Sequence, residues 1–508
     1  MKNSTIHPLF WAGIILISAM LQIAVPITGD EAYFIAWGKS FQWGYYDHPP
    51  VPGWISYTLW QVDDLIGLPR HGALHRLFSG LMGLASVYLI LSRLRLHGLV
   101  MRPVFVAGVF VAVPGVLILF NLYLNDSVLA FFSLLFVLAV DTAFRARRNV
   151  LLALILAALA FDLVLLTKYN GALVYLGMLA GFLSWPAGRR FLFGRFVVIS
   201  LLALPVFLAH LWWNADHCSV NLAFNFGFRS IHATGFGPVW VVLTLAIMAG
   251  PLAFGLLARI AFGNAHKVGF FARTFLGTVA VMLVISVLRG EFGVNWGAPL
   301  AALTVLAMVE VAPAQAPVWS RRIGLAASLA LLLPLSAVLL GLKYELLPAT
   351  ALTDAKRAAD FNQHLDLADG QLIRQIAPLN AGRVTVAMEY GIVAVLDNAR
   401  IGPTTVFTRS IFGRNQDLQT DFSEMNGRDM VVLLNGAGSD TDEITRLFDS
   451  ANVVTLTTSR QTYLVVLGQG FQYATYRAEW ILPTISELYD KSPFPYLQCG
   501  MDKYRLDK

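Results

Sequence analysis

Apolar stretches long enough to cross a bilayer recur along this chain up to about residue 342, and that recurrence leaves little room for any architecture but a membrane bundle. Taking runs of roughly 17 to 25 apolar residues as spans, helices are predicted near 9 to 27, 72 to 92, 103 to 120, 127 to 144, 150 to 166 and 171 to 185. Others follow near 195 to 213, 237 to 261, 273 to 288, 297 to 312 and 322 to 342. That makes eleven, or up to thirteen if helices in the first long loop or the Ala-rich stretch after Leu300 are counted. The first run follows Lys2 without a small-residue cleavage site, which reads as a retained helix rather than a removed leader. With 57% hydrophobic and 13% charged residues, the bilayer is the main solvent.

The formal charge of +6 comes from Lys and Arg scattered in twos and threes, without the basic block that tracks phosphates, so no nucleic-acid partner is expected. The cations serve instead as topology signals. Every second loop carries them: Arg93, Arg95 and Arg102; Arg145, Arg147 and Arg148; Arg189, Arg190 and Arg195; Lys267 and Arg273; Arg321 and Arg322. The positive-inside rule makes those loops and the amino terminus cytoplasmic. The opposite loops hold Asp30, Glu31, Asp47, His48, Asn125, Asp126, Lys168, Asn170, Asn214, His217, Arg229, Glu291 and Asn295. The unusual polar residues therefore collect on the outer face.

The loop 28 to 70 has Tyr33 and Trp37 at i, i+4, and Trp54, Tyr57 and Trp60 about a helical turn apart. This predicts short helices lying in the interface, with Trp54 and Trp60 read as an aromatic belt. After Leu342, polar helical stretches such as 354 to 376 alternate with apolar runs at 384 to 388, 430 to 434 and 463 to 467. A transmembrane unit over 1 to 343 and a small α/β extracytoplasmic unit over 344 to 508 are expected. The chain shows no P-loop and no dinucleotide fingerprint, so no nucleotide cofactor is expected; Gly436 and Gly438 before Ser439 read as a turn.

An ionisable group among membrane helices needs a structural or functional reason, since Asp at a helix centre costs about 2.5 to 3.5 kcal/mol on the insertion scale. Plain reasons exist one by one. Asp30 and Asp126 stand where helices begin and could be N-caps, Asp47 before two prolines is a turn former, and Lys168 could snorkel. Together, acids with a Lys and an Arg on one side of the membrane make a set able to deprotonate a hydroxyl and neutralise a phosphate leaving group.

Gly29-Asp30-Glu31-Ala32-Tyr33 followed by Tyr45-Tyr46-Asp47-His48-Pro49-Pro50 resembles the first outer loop of bacterial family 39 polyprenyl-phosphate-sugar glycosyltransferases. These are of the GT-C class, with protein mannosyltransferases and lipid A aminoarabinose transferases as relatives. Asn125-Asp126-Ser127, Thr167-Lys168-Tyr169-Asn170-Gly171, Trp213-Asn214 with Phe228-Arg229, and Asn295-Trp296 are similar to further landmarks, and the resemblance covers roughly the first 300 residues. It implies a GT-C-like all-α membrane domain in the plasma membrane. It also implies inverting transfer from a polyprenyl-phosphate sugar donor to an envelope acceptor: lipid A, lipopolysaccharide core, O-antigen or another glycolipid. By that resemblance Asp30 is the base and Asp126 a second site acid, while Lys168 and Arg229 bind the donor phosphate. Glu31, Tyr46, Asn170 and Asn295 are expected to contact substrate.

In the aminoarabinose branch the acid beside the prolines helps bind a divalent metal. Asp47 and His48 are the matching candidates here, with His217 and His232 in another outer loop. The plainer reading, that outer histidines are polar loop residues, stands beside it. Cys218 and Cys499 both fall outside, where a disulfide clipping the carboxy-terminal unit over the site is permitted. Two other readings stay open. One is a secondary transporter or lipid flippase, for which Asp162 inside the fifth span is the best feature; the other is a protein hydroxyl as acceptor.

Overall fold

The computed structural model describes residues 8–67, 72–96, 103–183, 191–227, 236–262, 268–290, 292–311, 318–407, 409–410, 413–434 and 441–506. Each of the predicted apolar segments contains helix. Among the described residues, five helices are long and apolar enough to cross a membrane: Ala73–Arg95, Asn125–Arg145, Leu192–Ala215, Phe270–Arg289 and Val294–Val311. Of the remaining apolar segments, Val318–Lys343 is one continuous helix and the others are shorter or broken, the breaks having local causes.

The segment 103 to 120 is two helices, Pro103–Val111 and Pro114–Leu119, because Pro114 lacks the amide a continuous helix needs. The segment 237 to 261, read as one span, bends by 110° between Gly237–Ala249 and Pro251–Ala258. Gly250 makes that bend at φ +69°, a conformation that favours glycine. The two breaks pack together: a Cβ on Gly115 would lie 2.4 Å from the Met248 carbonyl oxygen.

Ala298–Val311 is apolar on every side and buried on nearly every side, with Leu300, Ala301, Leu303 and Val305 fully enclosed, which makes it the central helix of the bundle. Its Glu310 accepts from the Ala272 amide at 2.9 Å, so a carboxylate sits at the amino end of Phe270–Arg289.

The carboxy-terminal sheet has five strands: β1 (Val384–Ala387), β2 (Thr404–Val406), β3 (Met430–Leu434), β4 (Phe448–Thr457) and β5 (Thr462–Phe471), in the order β2-β1-β3-β5-β4. β1 runs parallel to β2 and β3, while β5 runs antiparallel to β3 and β4. The three apolar runs seen in sequence are the inner strands, buried on both faces as such runs must be. One sheet face packs Ala387, Leu433 and Val465 on helices carrying Leu372, Ile376 and Leu396. The other packs Val386, Val432 and Val466 with Trp480, and joins a cluster that also holds Tyr46, Val220 and Phe224 from the outer loops. That shared core fixes the sheet against the membrane helices. The turn read at Gly436 and Gly438 lies outside the described residues.

The first long loop folds as expected into helices Gly29–Ala36 and Val51–Ile66; Trp60, read as part of a belt, is buried, while Trp54 is half-buried against the exposed Phe41 and Trp43. Tyr33, Trp37 and Trp60 are buried, and Trp54 donates its indole N–H to the Gln42 carbonyl at 2.7 Å. The buried rings fill a core between the loop and the bundle, which outcompetes the lipid interface because burial removes both faces from water.

Candidate active site

Helix Gly29–Ala36 is positioned at its first turn. Thr28, not Asp30, is the N-cap: its hydroxyl accepts from the Glu31 amide at 3.1 Å, and Glu31 completes a capping box. The Glu31 carboxylate is also gripped by Arg76, with Nε 2.8 Å from Oε1 and NH2 2.6 Å from Oε2, and accepts from the Tyr123 amide at 3.0 Å. Glu31, expected as a substrate contact, is thus buried with both oxygens engaged by protein. The same helix crosses Tyr390–Asn398 where Gly29 meets Gly391, since a Cβ on either would stand 3.1 Å from the other's Cα.

This crossing brings Tyr390 to Asp30. The phenol donates to Asp30 Oδ1 at 2.6 Å, and Asp30 itself is exposed. Asp47 lies nearby and is buried, accepting from the Tyr33 hydroxyl at 3.1 Å and from Arg414 NH1 at 2.9 Å. The Arg414 guanidinium sits 3.6 Å over the Tyr390 ring, 5.2 Å from Phe224 and 5.8 Å from Tyr33. Its neighbour Asn415 donates its amide to the Tyr33 oxygen at 3.3 Å, and Asn225 donates to the Asp47 carbonyl at 2.8 Å. Three separate stretches of chain therefore meet on Asp47, two at its carboxylate and one at its main-chain carbonyl.

Burial raises the Asp47 pKa above the usual carboxylate value; Arg414 pulls it back and the Asp30 charge pushes it further up. Burial likewise raises the Tyr33 and Tyr390 phenols, which therefore stay protonated as donors to the two acids.

A second pair lies at the start of Asn125–Arg145. Lys168 Nζ is 2.8 Å from Asp126 Oδ1, and Lys168 is buried rather than snorkelling. Asp126 is no N-cap, since Leu124 holds that position without a side-chain bond; it is the first-turn partner of Lys168. The Val51 amide donates to the Leu166 carbonyl at 2.8 Å, tying the Lys168 segment to the loop that carries Asp47. Asn170 is half-buried beside it with its amide nitrogen unbonded, and Tyr169 bonds His210 at 2.8 Å.

Asn295 lies half-buried in the turn Val294–Gly297, and Tyr46 is fully buried with its ring against Phe224. Asp162 is buried with Oδ1 unbonded. Arg229, His232 and Glu291 lie outside the described residues.

His48 Nε2 stands 3.9 Å from the Asp47 oxygen that Arg414 already holds. Among the described residues no group of three or more His, Cys, Asp or Glu side chains converges as a metal site would require. The Asp47 and His48 pair supplies two donor residues, and Arg414 already holds the Asp47 oxygen that faces His48.

Cys218 and Cys499 are joined in a disulfide. Around it the Cys218 amide donates to the Gln498 carbonyl at 2.8 Å and the Leu497 amide to the Ala215 carbonyl at 2.6 Å. The tail is thereby fastened beside helix Val220–Phe226, which supplies Asn225 and Phe224 to the site.

Arg414, Tyr390 and Arg76 were not singled out from the sequence. Each lies far along the chain from the acid it meets, in a context without periodicity or motif. The pairing of the two units brings in Arg414 and Tyr390, and the packing of the first loop on helix Ala73–Leu96 brings in Arg76.

No known family profile matches the sequence. Structurally the chain superposes on ArnT from Cupriavidus metallidurans bound to undecaprenyl phosphate, with a TM-score of 0.54 over 90% of this chain and 97% of that one at 17% identity. The apo state of the same protein gives 0.52 at 16% identity. The fold is that of ArnT. The GT-C-like membrane domain with a small carboxy-terminal α/β part, expected from the sequence, is what the chain adopts. In sequence, the lipid A galacturonosyltransferase RgtD of Rhizobium johnstonii is 28% identical over 191 residues, 37% of this chain. That match spans 38% of RgtD's own length.

Proposed function

We propose that the chain is a multi-pass plasma-membrane glycosyltransferase that moves a sugar from a polyprenyl-phosphate donor to an envelope glycolipid, with inversion. The observation that carries this reading is the solvent-open Asp30 beside the buried Asp47–Arg414 pair, at the junction of membrane helices and α/β unit. The likeness to ArnT and to RgtD supports it from outside the chain.

In the proposed reaction an acceptor hydroxyl attacks the anomeric carbon from the face opposite the phosphate. Asp30 takes its proton, the anomeric carbon–oxygen bond breaks, and polyprenyl phosphate leaves with the electron pair. Tyr390 orients Asp30, and Arg414 beside it opposes the rise that burial imposes on Asp47. Lys168 neutralises the departing phosphate in a partly dry cleft, where fixed charge acts more strongly than in water, and Asp126 holds that lysine ready. Arg229 is assigned to the same phosphate. Tyr46, Asn170 and Asn295 shape the substrate cleft, whereas Glu31 holds the helix that presents Asp30. Residues 1 to 343 form the membrane catalytic domain and 344 to 508 a periplasmic domain that completes the site, with the amino terminus cytoplasmic.

The test is label transfer from a panel of synthetic polyprenyl-phosphate sugars in liposomes holding the purified protein, offered glycolipid or protein acceptors beside an Asp30→Asn variant. Transfer by the parent and its loss in the variant support the reading. Solute or lipid movement without transfer from any donor would replace it with the transporter.

A further inference from the structure

A cavity of about 420 Å³ opens beside the acid cluster, between the first outer loop, the end of helix Phe191–Ala215 and the segment Asn415–Gln419. Its volume is within the range of small-ligand sites. We infer that it is the subsite for an uncharged sugar ring of the acceptor glycolipid, an assignment that rests on the proposed transferase reading.

The walls are of two kinds. Phe41 and Trp43 offer exposed aromatic surface, while Gln42, Asn415 and Gln419 offer amides that both donate and accept. Aromatic faces meet the apolar C–H faces of a pyranose, and amides meet its hydroxyls, so the lining matches a sugar on both of its surfaces. Neither Lys, Arg, Asp nor Glu is among the described lining residues, which separates this cavity from the donor phosphate's cation at Lys168.

The walls are also pre-set. Trp213 stacks on His217 with centroids 4.3 Å apart and lies flat against Gly44, where a Cβ would come within 2.3 Å of the ring. The opposite loop is pinned by its backbone: Trp54 Nε1 donates to the Gln42 carbonyl at 2.7 Å, and His210 Nδ1 meets the Trp43 carbonyl at 2.8 Å. Trp43 is consequently held at the mouth, 42% exposed as a residue. A bound ring loses little further protein entropy.

Position supplies the rest. Asn415 lines the cavity and follows Arg414, which holds Asp47, so the cavity adjoins the segment that reaches the acid cluster. On the other side, Leu201, Leu204, Leu208 and Trp212 of the same helix are exposed along its length, an apolar surface for the acyl chains of that lipid.

Two variants test this, Trp43→Ala to remove a wall and Leu418→Trp to fill the space, each checked by thermal unfolding and by donor KM. Both are expected to raise the acceptor KM about tenfold or more, equivalent to one 1.4 kcal/mol step, with the donor KM unchanged. A direct readout free of turnover is saturation-transfer NMR with deacylated lipid A disaccharide on donor-free protein, whose signal is expected in the parent and absent in Leu418→Trp. If the parent binds the disaccharide but transfers nothing, the subsite stands and the transferase reading fails. If the parent does not bind it, or if both variants keep the parent's acceptor KM, the subsite is wrong whatever the activity.

Discussion

Helix Asn125–Arg145 carries a charged cluster at each end, and the two are built on opposite terms. Asp126 and Asp141 are fifteen residues apart, about 22 Å along the axis at about 1.5 Å per residue. At the carboxy-terminal end Asp141 is buried with Arg93 on Oδ2 and Arg145 on Oδ1, while Arg195 donates to the Ala143, Phe144 and Ala146 carbonyls. At the amino-terminal end Asp126 meets Lys168 through one oxygen, Asn170 keeps an unbonded amide, and Asp30 is open to solvent. A cluster with both carboxylate oxygens taken holds architecture; one with open valences is available to a substrate.

The largest expected effect is at the open end. Asp30→Asn should lower transfer by about 10²- to 10⁴-fold with unfolding temperature unchanged, and a rate within a few-fold of the parent would remove Asp30 as base. Its sequence neighbour should behave in the opposite way. Glu31→Ala, which leaves the half-buried Arg76 only main-chain carbonyls, should cost about 1–3 kcal/mol of stability, and Asp141→Ala, which leaves Arg93 buried without its carboxylate, about 3–5 kcal/mol. The rate per folded molecule should stay near the parent's in both, measured with denaturation curves and active-protein counts. Transfer lost at Glu31 without instability would break the comparison.

Cys218→Ser should cost about 2–5 kcal/mol, since the bond closes a loop between residues separated by 281 positions. Because the clasp borders the helix that carries Phe224 and Asn225, donor KM should rise on reduction before the bundle unfolds. Equal melting of oxidised and reduced protein would show the clasp to be idle.

Arg414→Gln sharpens the electrostatics. Asp47 is raised by burial first, and Arg414 opposes that rise, so its loss should move the acid limb of kcat/KM to higher pH. Linkage gives the same sign for stability. A carboxyl with a raised folded pKa stabilises below its unfolded pKa and loses that contribution as pH rises through the folded one, a window the variant shifts upward. An acid limb that stays in place or moves down would exclude Asp47 as the titrating group. The smallest effect expected is none: chelation with EDTA should leave the transfer rate unchanged, and a loss restored by a divalent ion would show that the Asp47 and His48 donors gain partners when substrate binds.

Much of the fold was legible because its signals are local. Membrane spans announce themselves by length, the inner strands β1, β3 and β5 by apolar runs buried on both faces, and the first-loop helices by aromatic spacing. Edge strands β2 and β4 were missed since β4 is mostly exposed and its sequence has no apolar run. The bend at Gly250 was missed since hydropathy does not register a single left-handed residue inside an apolar stretch.

The amino-acid sequence by itself determined that the chain is a membrane bundle with an appended α/β unit, and that Asp30, Asp47, Asp126 and Lys168 belong to one face. Those conclusions follow from period, length and charge, which are properties of neighbours along the chain. Tertiary structure alone decided which acid is open and which is spent: Asp30 and Glu31 are adjacent, yet one meets solvent and Tyr390 while the other is locked by Arg76. It likewise decided that Arg414 reaches Asp47 and that Cys218 pairs with Cys499. Such contacts join residues hundreds of positions apart, and their energies depend on burial, which no local pattern encodes.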